Sequence, residues 1–167
     1  MLKTYSKILD ILEKIAKVFL AITAAAMVLV LFYQVVMRYI FNNAAAWPEE
    51  LARYLFIYDV MVAAAIAVRR NSHLQIDALI GKMSPKTRAI FTIISTVLGG
   101  AFLVYLLIYS ITLVSTGTKT MTTALPFSMA VPYSCIPVGV IMMLLASVEV
   151  IFKNIDIIRG KGEEDAA

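Results

Sequence analysis

The chain has 167 residues, of which 61% are hydrophobic and 16% are charged, and its formal net charge is +4 at pH 7. The polar residues are too few to surround a soluble domain, so there is no positively charged soluble surface on which nucleic acid could bind. The single cysteine, Cys135, excludes an internal disulfide and a multi-cysteine metal site, and it is typical of a small apolar packing residue.

Four long apolar runs make up most of the chain. A helix needs about 20 residues to cross a hydrocarbon core of about 30 Å, and each run is long enough. The runs are Val18–Ile40, Pro48–Val68, Ala89–Val114 and Pro132–Phe152. The sequence therefore predicts an all-α integral membrane protein with four transmembrane helices. Residues 1–158 are expected to form a single four-span domain, and residues 159–167 a flexible cytoplasmic tail.

The lysines and arginines are unevenly distributed around these runs. Most of the 15 lie before the first run, between the second and third, or after the fourth, and only Arg38, Arg53 and Lys119 lie on the other side. Because basic residues collect on the cytoplasmic side, both termini and the central loop are predicted to be cytoplasmic. The charged N-terminal segment contains Asp10 and Glu13 and precedes a long apolar run, which favours an uncleaved first span over a signal peptide.

The segment before the first span predicts an amphipathic helix at the cytoplasmic membrane surface. Within residues 2–17, charged side chains recur at steps of four and three on one face (Lys3, Lys7, Asp10, Lys14 and Lys17), and apolar side chains such as Ile8 and Ile15 mark the other. Such a helix would turn its lysines toward lipid phosphates or water. A simple cytoplasmic extension of the first span fits the pattern equally well.

The loop between the second and third spans carries further helix signals. Ser72 with Gln75 three residues later fits a capping box, which predicts a short helix pressed against the membrane surface. His73 and Asp77 stand four apart on this helix. The chain has no other histidine, so a local hydrogen bond or a solvated pair is favoured over a metal site. Ser84, which precedes a proline, predicts the cap of the third span.

The most distinctive polar residues lie at the outer ends of the first two spans. The second span opens with Trp47, a proline, Glu49 and Glu50. The tryptophan suits a membrane interface, and the two acids oppose the positive end of the helix dipole. Arg53 shares their helix face, and Arg38 ends the first span across a short connection. The sequence predicts that these two arginines and two acids form a charge cluster joining the spans, with a structural role favoured over a substrate site.

Asp59 is an acid in the middle of the second span. It lies about 16 Å along the helix from Pro48, and hence near the centre of the membrane. An ionised carboxylate facing lipid at this depth costs at least a few kcal/mol, so Asp59 is expected to face a partner, water or a polar cavity. A proton or cation relay is one possible role. A packing or partner-interface residue, protonated or hydrogen-bonded, is favoured because the other spans offer few polar groups.

The polar residues occur in an order that resembles a known family. They are Arg38, the segment Trp-Pro-Glu-Glu-Leu-Ala-Arg at 47–53, the segment Arg-Arg-Asn-Ser-His-Leu-Gln-Ile-Asp at 69–77, and the stretch from Ala-Leu-Pro to Pro-Tyr at 124–133. This order resembles the small membrane subunit of tripartite ATP-independent periplasmic (TRAP) transporters. The resemblance covers essentially the whole chain, including its four spans and their topology.

The resemblance implies partners and a role in the bacterial inner membrane. In this family the small subunit joins a large multi-span permease, which carries the substrate and sodium sites and moves as an elevator. A periplasmic binding protein delivers an organic acid such as a C4-dicarboxylate or a sialic acid. The resemblance implies a scaffold that stabilises the permease and helps dock the binding protein, without enzymatic activity or a cofactor of its own. By resemblance, the structural or subunit-interface positions are Arg38, Trp47, Glu49, Glu50, Arg53, His73 and Asp77.

Two other classes of function remain open. One is a small transporter or channel formed by self-assembly, in which Asp59 would be the transport site. The other is a membrane anchor of a respiratory enzyme, although a haem anchor needs paired histidines that this chain lacks. Asp59 matches no motif of the family, so its role rests on the physical argument alone.

Overall fold

The computed structural model describes residues 2–43, 45–70 and 84–159. These residues form five helices: α1 (Leu2–Tyr39), α2 (Trp47–Arg69), α3 (Pro85–Gly117), α4 (Ala130–Tyr133) and α5 (Cys135–Ile158). Three of them and the consecutive α4–α5 pair are long and apolar enough to cross a membrane, which confirms the predicted all-α protein with four spans. The short helix predicted to begin near Ser72 lies outside the described residues.

The N-terminal segment is part of one long helix. α1 has 38 residues and is therefore about 57 Å long, nearly twice the thickness of a hydrocarbon core. Residues 2–17 continue directly into the first span, as an extension beyond its cytoplasmic end, and do not form a separate surface helix. Leu9 and Ala16 on this segment are buried, whereas Ile8 and Ile15 of the predicted apolar face are more than half exposed.

Local sequence explains where the helices begin and end. The Ser84 side chain caps α3 as predicted, because its oxygen accepts a hydrogen bond from the Thr87 N–H at 3.3 Å. α2 begins at Trp47, with a proline and two acids in its first turn. Asn42 follows α1 with a φ of 50°, a left-handed conformation that asparagine adopts more readily than most residues. The chain can therefore reverse direction within a short connection.

The spans lie side by side in the order α1, α2, α5 and α3. α5 is the most buried span because it packs on both α2 and α3. Its contacts with them form the core, which contains Ala65 of α2, Leu103 of α3, and Val140 and Met143 of α5. Within the described part of the chain, α1 and α3 share no extensive contact. They form the two ends of the row and expose broad apolar faces.

A glycine permits a close approach between α2 and α5. A Cβ added at Gly139 would lie 2.8 Å from the Met61 Cβ, which is too close for two carbon atoms. The Gly99-Gly100 pair of α3 is not used in this way. Among the described residues, no neighbouring atom lies within 4 Å of a Cβ added at either position. The reason is that α3 packs through its bulkier Leu103 face.

Candidate functional site: polar contacts that join the membrane helices

Glu50 holds the outer loop, which we define as residues 118–129. Its carboxylate accepts hydrogen bonds from the backbone N–H groups of Thr123 at 3.0 Å and Ala124 at 2.6 Å, and from the Tyr54 hydroxyl at 2.6 Å. The Tyr54 ring also packs on Phe127 of the loop, with centroids 6.2 Å apart. Hydrogen bonds to an ionised acceptor are stronger than neutral ones, so Glu50 ties the loop firmly to the start of α2.

The outer loop is itself folded as a short hairpin. The Met129 N–H donates to the Thr120 carbonyl at 2.8 Å, and the Thr122 N–H donates to the Phe127 carbonyl at 3.0 Å. The Thr122 hydroxyl donates to the Leu125 carbonyl at 2.5 Å. These bonds satisfy the backbone of a segment whose sequence has no helix or strand pattern. The loop therefore presents a defined surface at the outer end of the molecule.

A second tyrosine joins α2 to the fourth span. The Tyr58 hydroxyl lies 2.7 Å from the Val131 carbonyl and 2.7 Å from the Ser134 hydroxyl. Ser134 separates α4 from α5. Tyr54 and Tyr58 are four residues apart and lie on one face of α2. The outer loop and the junction between α4 and α5 are therefore attached to the same helix.

The predicted charge cluster of two arginines and two acids does not form. Arg53 pairs with Glu49 at 3.2 Å, but their side chains are 65% and 58% exposed. Glu50 binds the outer loop instead. Among the described residues, Arg38 makes no ion pair and is exposed at the end of α1. Glu49 and Glu50 therefore have different partners, Arg53 for the first and the outer loop for the second.

α1 and α2 are joined at two depths in the membrane. At the outer end, the Trp47 ring lies 5.6 Å from the Tyr33 ring, measured between centroids. Near the middle of the membrane, the Asp59 carboxylate and the Thr23 hydroxyl form a hydrogen bond. The Thr23 oxygen also lies 2.8 Å from the Phe19 carbonyl of its own helix. Thr23 is buried and Asp59 is half-buried, so this acid takes part in a polar contact between two spans.

The largest polar cluster lies at the cytoplasmic end and centres on Arg69. Its guanidinium contacts Glu149 of α5 at 2.6 Å, and Glu13 and Asp10 of α1 at 2.7 and 2.6 Å. It also donates to the Ser6 carbonyl at 3.3 Å. The Arg69 and Glu149 side chains are only 10% and 2% exposed. A single arginine at the end of α2 therefore holds three helices together.

Further cations complete this cluster. Arg70 and Lys17 contact Glu13 at 2.7 and 2.6 Å, and Lys153 contacts Glu149 at 2.7 Å. We call the whole group the Arg69 cluster, and it consists of Asp10, Glu13, Lys17, Arg69, Arg70, Glu149 and Lys153. Each carboxylate has at least one cationic partner, which a carboxylate removed from water requires.

The sequence predicts only the local part of the Arg69 cluster. The pairs Glu13–Lys17 and Glu149–Lys153 are expected from their spacing of four residues, and both are present. The central role of Arg69 is missed because its partners lie 56 to 80 residues away in the chain. A signal was available, since Glu149 is a single carboxylate in a highly apolar span, at the membrane depth where the second span ends in an arginine.

These polar contacts hold the helices and the outer loop together. Within residues 2–43, 45–70 and 84–159, no group of three His, Cys, Asp or Glu side chains could hold a metal ion. The predicted site residues His73 and Asp77 lie outside these ranges. Of the remaining predicted residues, Asp59 forms a contact in the middle of the membrane and the others lie at the outer ends of α1 and α2. The Arg69 cluster adds an attachment at the cytoplasmic end.

The chain is similar in sequence to known transport proteins. The family described as tripartite ATP-independent periplasmic transporters, DctQ component, matches residues 27–156. The sialic acid TRAP transporter small permease protein SiaQ of Vibrio cholerae is 40% identical over 87 residues, which are 52% of this chain and 49% of that protein. The C4-dicarboxylate TRAP transporter small permease protein DctQ of the same organism is 30% identical over 106 residues, which are 64% and 46%.

A third relative is a much longer protein. The sialic acid TRAP transporter permease protein SiaT of Haemophilus influenzae is 39% identical over 59 residues, which are 35% of this chain but 10% of that protein. The matched parts of this chain therefore span about half the length of the two small permease proteins, and a tenth of the long one.

Proposed function

The chain belongs to the family of the DctQ component of tripartite ATP-independent periplasmic transporters, and from this premise we propose that it is the small permease subunit of such a transporter. It is a multi-pass protein of the bacterial inner membrane, and the members of its family are components of transporters, not enzymes. The proposed cargo is an organic acid of the sialic acid or C4-dicarboxylate class, the two classes named for the relatives in Vibrio cholerae.

The proposed partner is a large multi-span permease that carries the substrate and sodium sites. The relative SiaT supports this partner, because a segment similar to this chain occupies a tenth of a much longer permease protein. Two segments that are joined in one chain in one organism are often separate, interacting subunits in another organism. This chain would then contribute fixed membrane helices and no transport site of its own.

The observation that carries the scaffold role is the attachment of the spans at three depths. The Arg69 cluster joins three helices at the cytoplasmic end, Asp59 joins two in the middle, and Glu50 fixes the outer loop. An elevator-type permease must move its transport domain relative to a scaffold that stays fixed in the bilayer. Helices joined to one another by buried polar contacts are suited to form part of that scaffold.

We also propose that the outer loop helps dock the periplasmic binding protein. The loop lies at the outer end, and its backbone is bonded to Glu50. A surface that is ordered before a partner arrives loses less conformational entropy on binding, which favours association. The outer loop therefore lies on the periplasmic side, where the binding protein is expected, and it has a fixed shape.

Co-purification from native membranes tests the proposed function. The chain is tagged, the membranes are solubilised in mild detergent, and the co-purifying proteins are identified by mass spectrometry. We expect a large, very hydrophobic permease in similar amount, and substrate uptake in liposomes only when the permease and the binding protein are also present. Recovery of this chain alone, as a stable oligomer that itself supports flux, would refute the proposal. Asp59→Asn would then test whether this acid forms the transport site.

A further inference from the structure

Asp59 has a hydrogen-bonding need that the described residues do not meet. Its Oδ1 atom bonds with the Thr23 hydroxyl, but among the described residues its Oδ2 atom has no hydrogen-bond partner. That oxygen is also not enclosed by the protein, because no fully buried side-chain oxygen in the described residues lacks a partner. Asp59 lies near the midpoint of α2, where an oxygen facing hydrocarbon without a donor is costly.

The neighbours of Asp59 show that it lies at the border of the exposed face of α2. On a helix surface, the nearest neighbours of a residue are three and four positions away. On one side, Val62 is buried and Leu55 is half-buried. On the other side, Phe56 and Ala63 are exposed. The free oxygen of Asp59 is therefore available to a molecule that packs on the exposed apolar face of α2.

Most other polar groups in the spans do not share this need. The hydroxyls of Thr96, Ser110 and Ser147 each donate to a carbonyl three or four residues earlier in the same helix, so they can face apolar surroundings. Gln34 is comparable with Asp59. It is half-buried, lacks a hydrogen-bond partner among the described residues, and lies about three turns from Thr23 on the same face of α1. Two polar side chains without a full set of hydrogen-bond partners among the described residues, Asp59 and Gln34, therefore lie along the contact between α1 and α2.

We propose that the face formed by α1 and α2 around Asp59 is the surface on which the large permease packs, with a membrane helix of that permease donating a hydrogen bond to the free carboxylate oxygen. The inference rests on the proposed function and names the contact face. Lipid tails have no donor, whereas a hydroxyl, amide or cationic side chain of a partner helix does. At the other end of the row, α3 exposes apolar side chains such as Leu98 and Phe102, which lipid tails can cover.

Photo-crosslinking in the complete transporter tests the assigned face. Benzoylphenylalanine is introduced at Phe56, beside Asp59, or at Phe102 on α3 as the matched control. Both positions are phenylalanines near the middle of a span, 56% and 63% exposed. We expect an adduct with the large permease from Phe56 and none from Phe102. Permease adducts from Phe102 alone or from both positions overturn the proposal, as do adducts from Phe56 only with lipid or with a second copy of this chain.

This experiment separates the inference from the function on which it rests. If the permease co-purifies but forms its adducts through α3, the contact face is wrong and the proposed function stands. If no permease co-purifies with the unmodified chain, the proposed function itself fails. The crosslink also decides the question when a substitution at Asp59 prevents folding.

Substitutions at the two partners test the hydrogen bond. Asp59→Leu removes both oxygens, Asp59→Asn keeps the shape and one acceptor, and Thr23→Val removes only the contact within this chain. We expect Asp59→Leu to lower recovery of the permease roughly three- to tenfold, the range of one interhelical hydrogen bond in a membrane. Asp59→Asn and Thr23→Val should each change recovery by less than about twofold on the same reasoning. Equal losses for Asp59→Leu and Thr23→Val would assign Asp59 to the α1–α2 contact alone and overturn the proposal.

Discussion

Replacing Arg69 by methionine removes the shared partner of three carboxylates and leaves a side chain of similar length that cannot donate a hydrogen bond. Among the described residues, Glu149 would keep only Lys153 and the Ser6 hydroxyl as partners. Because the Glu149 side chain is almost completely buried, water cannot replace the lost guanidinium. The variant therefore places an incompletely compensated negative charge between three helices.

The expected loss of stability follows from this burial. Removing one member of a buried ion pair costs about 3–5 kcal/mol, whereas breaking an exposed pair costs about 0–1 kcal/mol. Lys153 remains beside Glu149 in the variant, so we expect the lower end of the range for Arg69→Met, about 3 kcal/mol. For a chain of this size, that loss corresponds to a fall of roughly 6–12 °C in Tm.

Heating the purified protein in mild detergent, followed by size-exclusion chromatography of the folded fraction, measures this fall. Arg53→Met is the matched control, because Arg53 belongs to an exposed pair with Glu49, and it should change Tm by no more than a few degrees. The double variant Arg69→Met with Glu149→Leu removes both charges and should recover much of the loss, since apolar side chains often replace a buried pair without cost. An unchanged Tm for Arg69→Met, or a double variant less stable than either single variant, would refute the reasoning.

Two further substitutions test the outer end and the middle of the molecule. Glu50→Gln removes the ionised acceptor of the outer loop and should weaken the attachment of the loop to α2. Faster hydrogen exchange of the loop amides checks this, Glu49→Gln should leave that exchange unchanged, and equal rates in both variants would contradict the role of Glu50. Gly139→Ala places a Cβ 2.8 Å from the Met61 Cβ and should lower stability by about 1–3 kcal/mol. Gly99→Ala enters open space and should be neutral or stabilising by up to about 1 kcal/mol, so the same Tm for both variants would argue against the close α2–α5 contact.

The spans and the cap at Ser84 can be predicted because each depends on residues that are close together in the chain. An apolar run needs only sufficient length, and a helix cap needs only a hydroxyl at the right position. The packing face of residues 2–17 cannot be predicted in this way. Its pattern favours the Ile8 stripe, yet the buried residues are Leu9 and Ala16, because Glu13 on the same side of α1 as Leu9 binds the distant Arg69.

The predicted outer cluster fails for a related reason. Arg38, Glu49, Glu50 and Arg53 lie close together in the sequence, which suggests mutual ion pairs. Closeness along the chain does not fix helix rotation, and the rotation of α2 directs Glu50 toward the outer loop. The loop has no helix or strand pattern that would indicate its folded position. Only the pair Glu49–Arg53, which depends on spacing along one helix, is present as expected.

The two ends of the helix row are attached by different means. α3 packs on α5 through apolar side chains such as Leu103 and Val140. α1 packs mainly on α2, and its attachments include the Arg69 cluster, Asp59 and a ring contact of Trp47. Lipid tails are as apolar as leucine, so apolar contact alone gives a membrane helix little preference for one neighbour over lipid. The polar contacts therefore fix the position of α1, and loss of the Arg69 cluster should release the cytoplasmic part of α1 while α3 stays packed on α5.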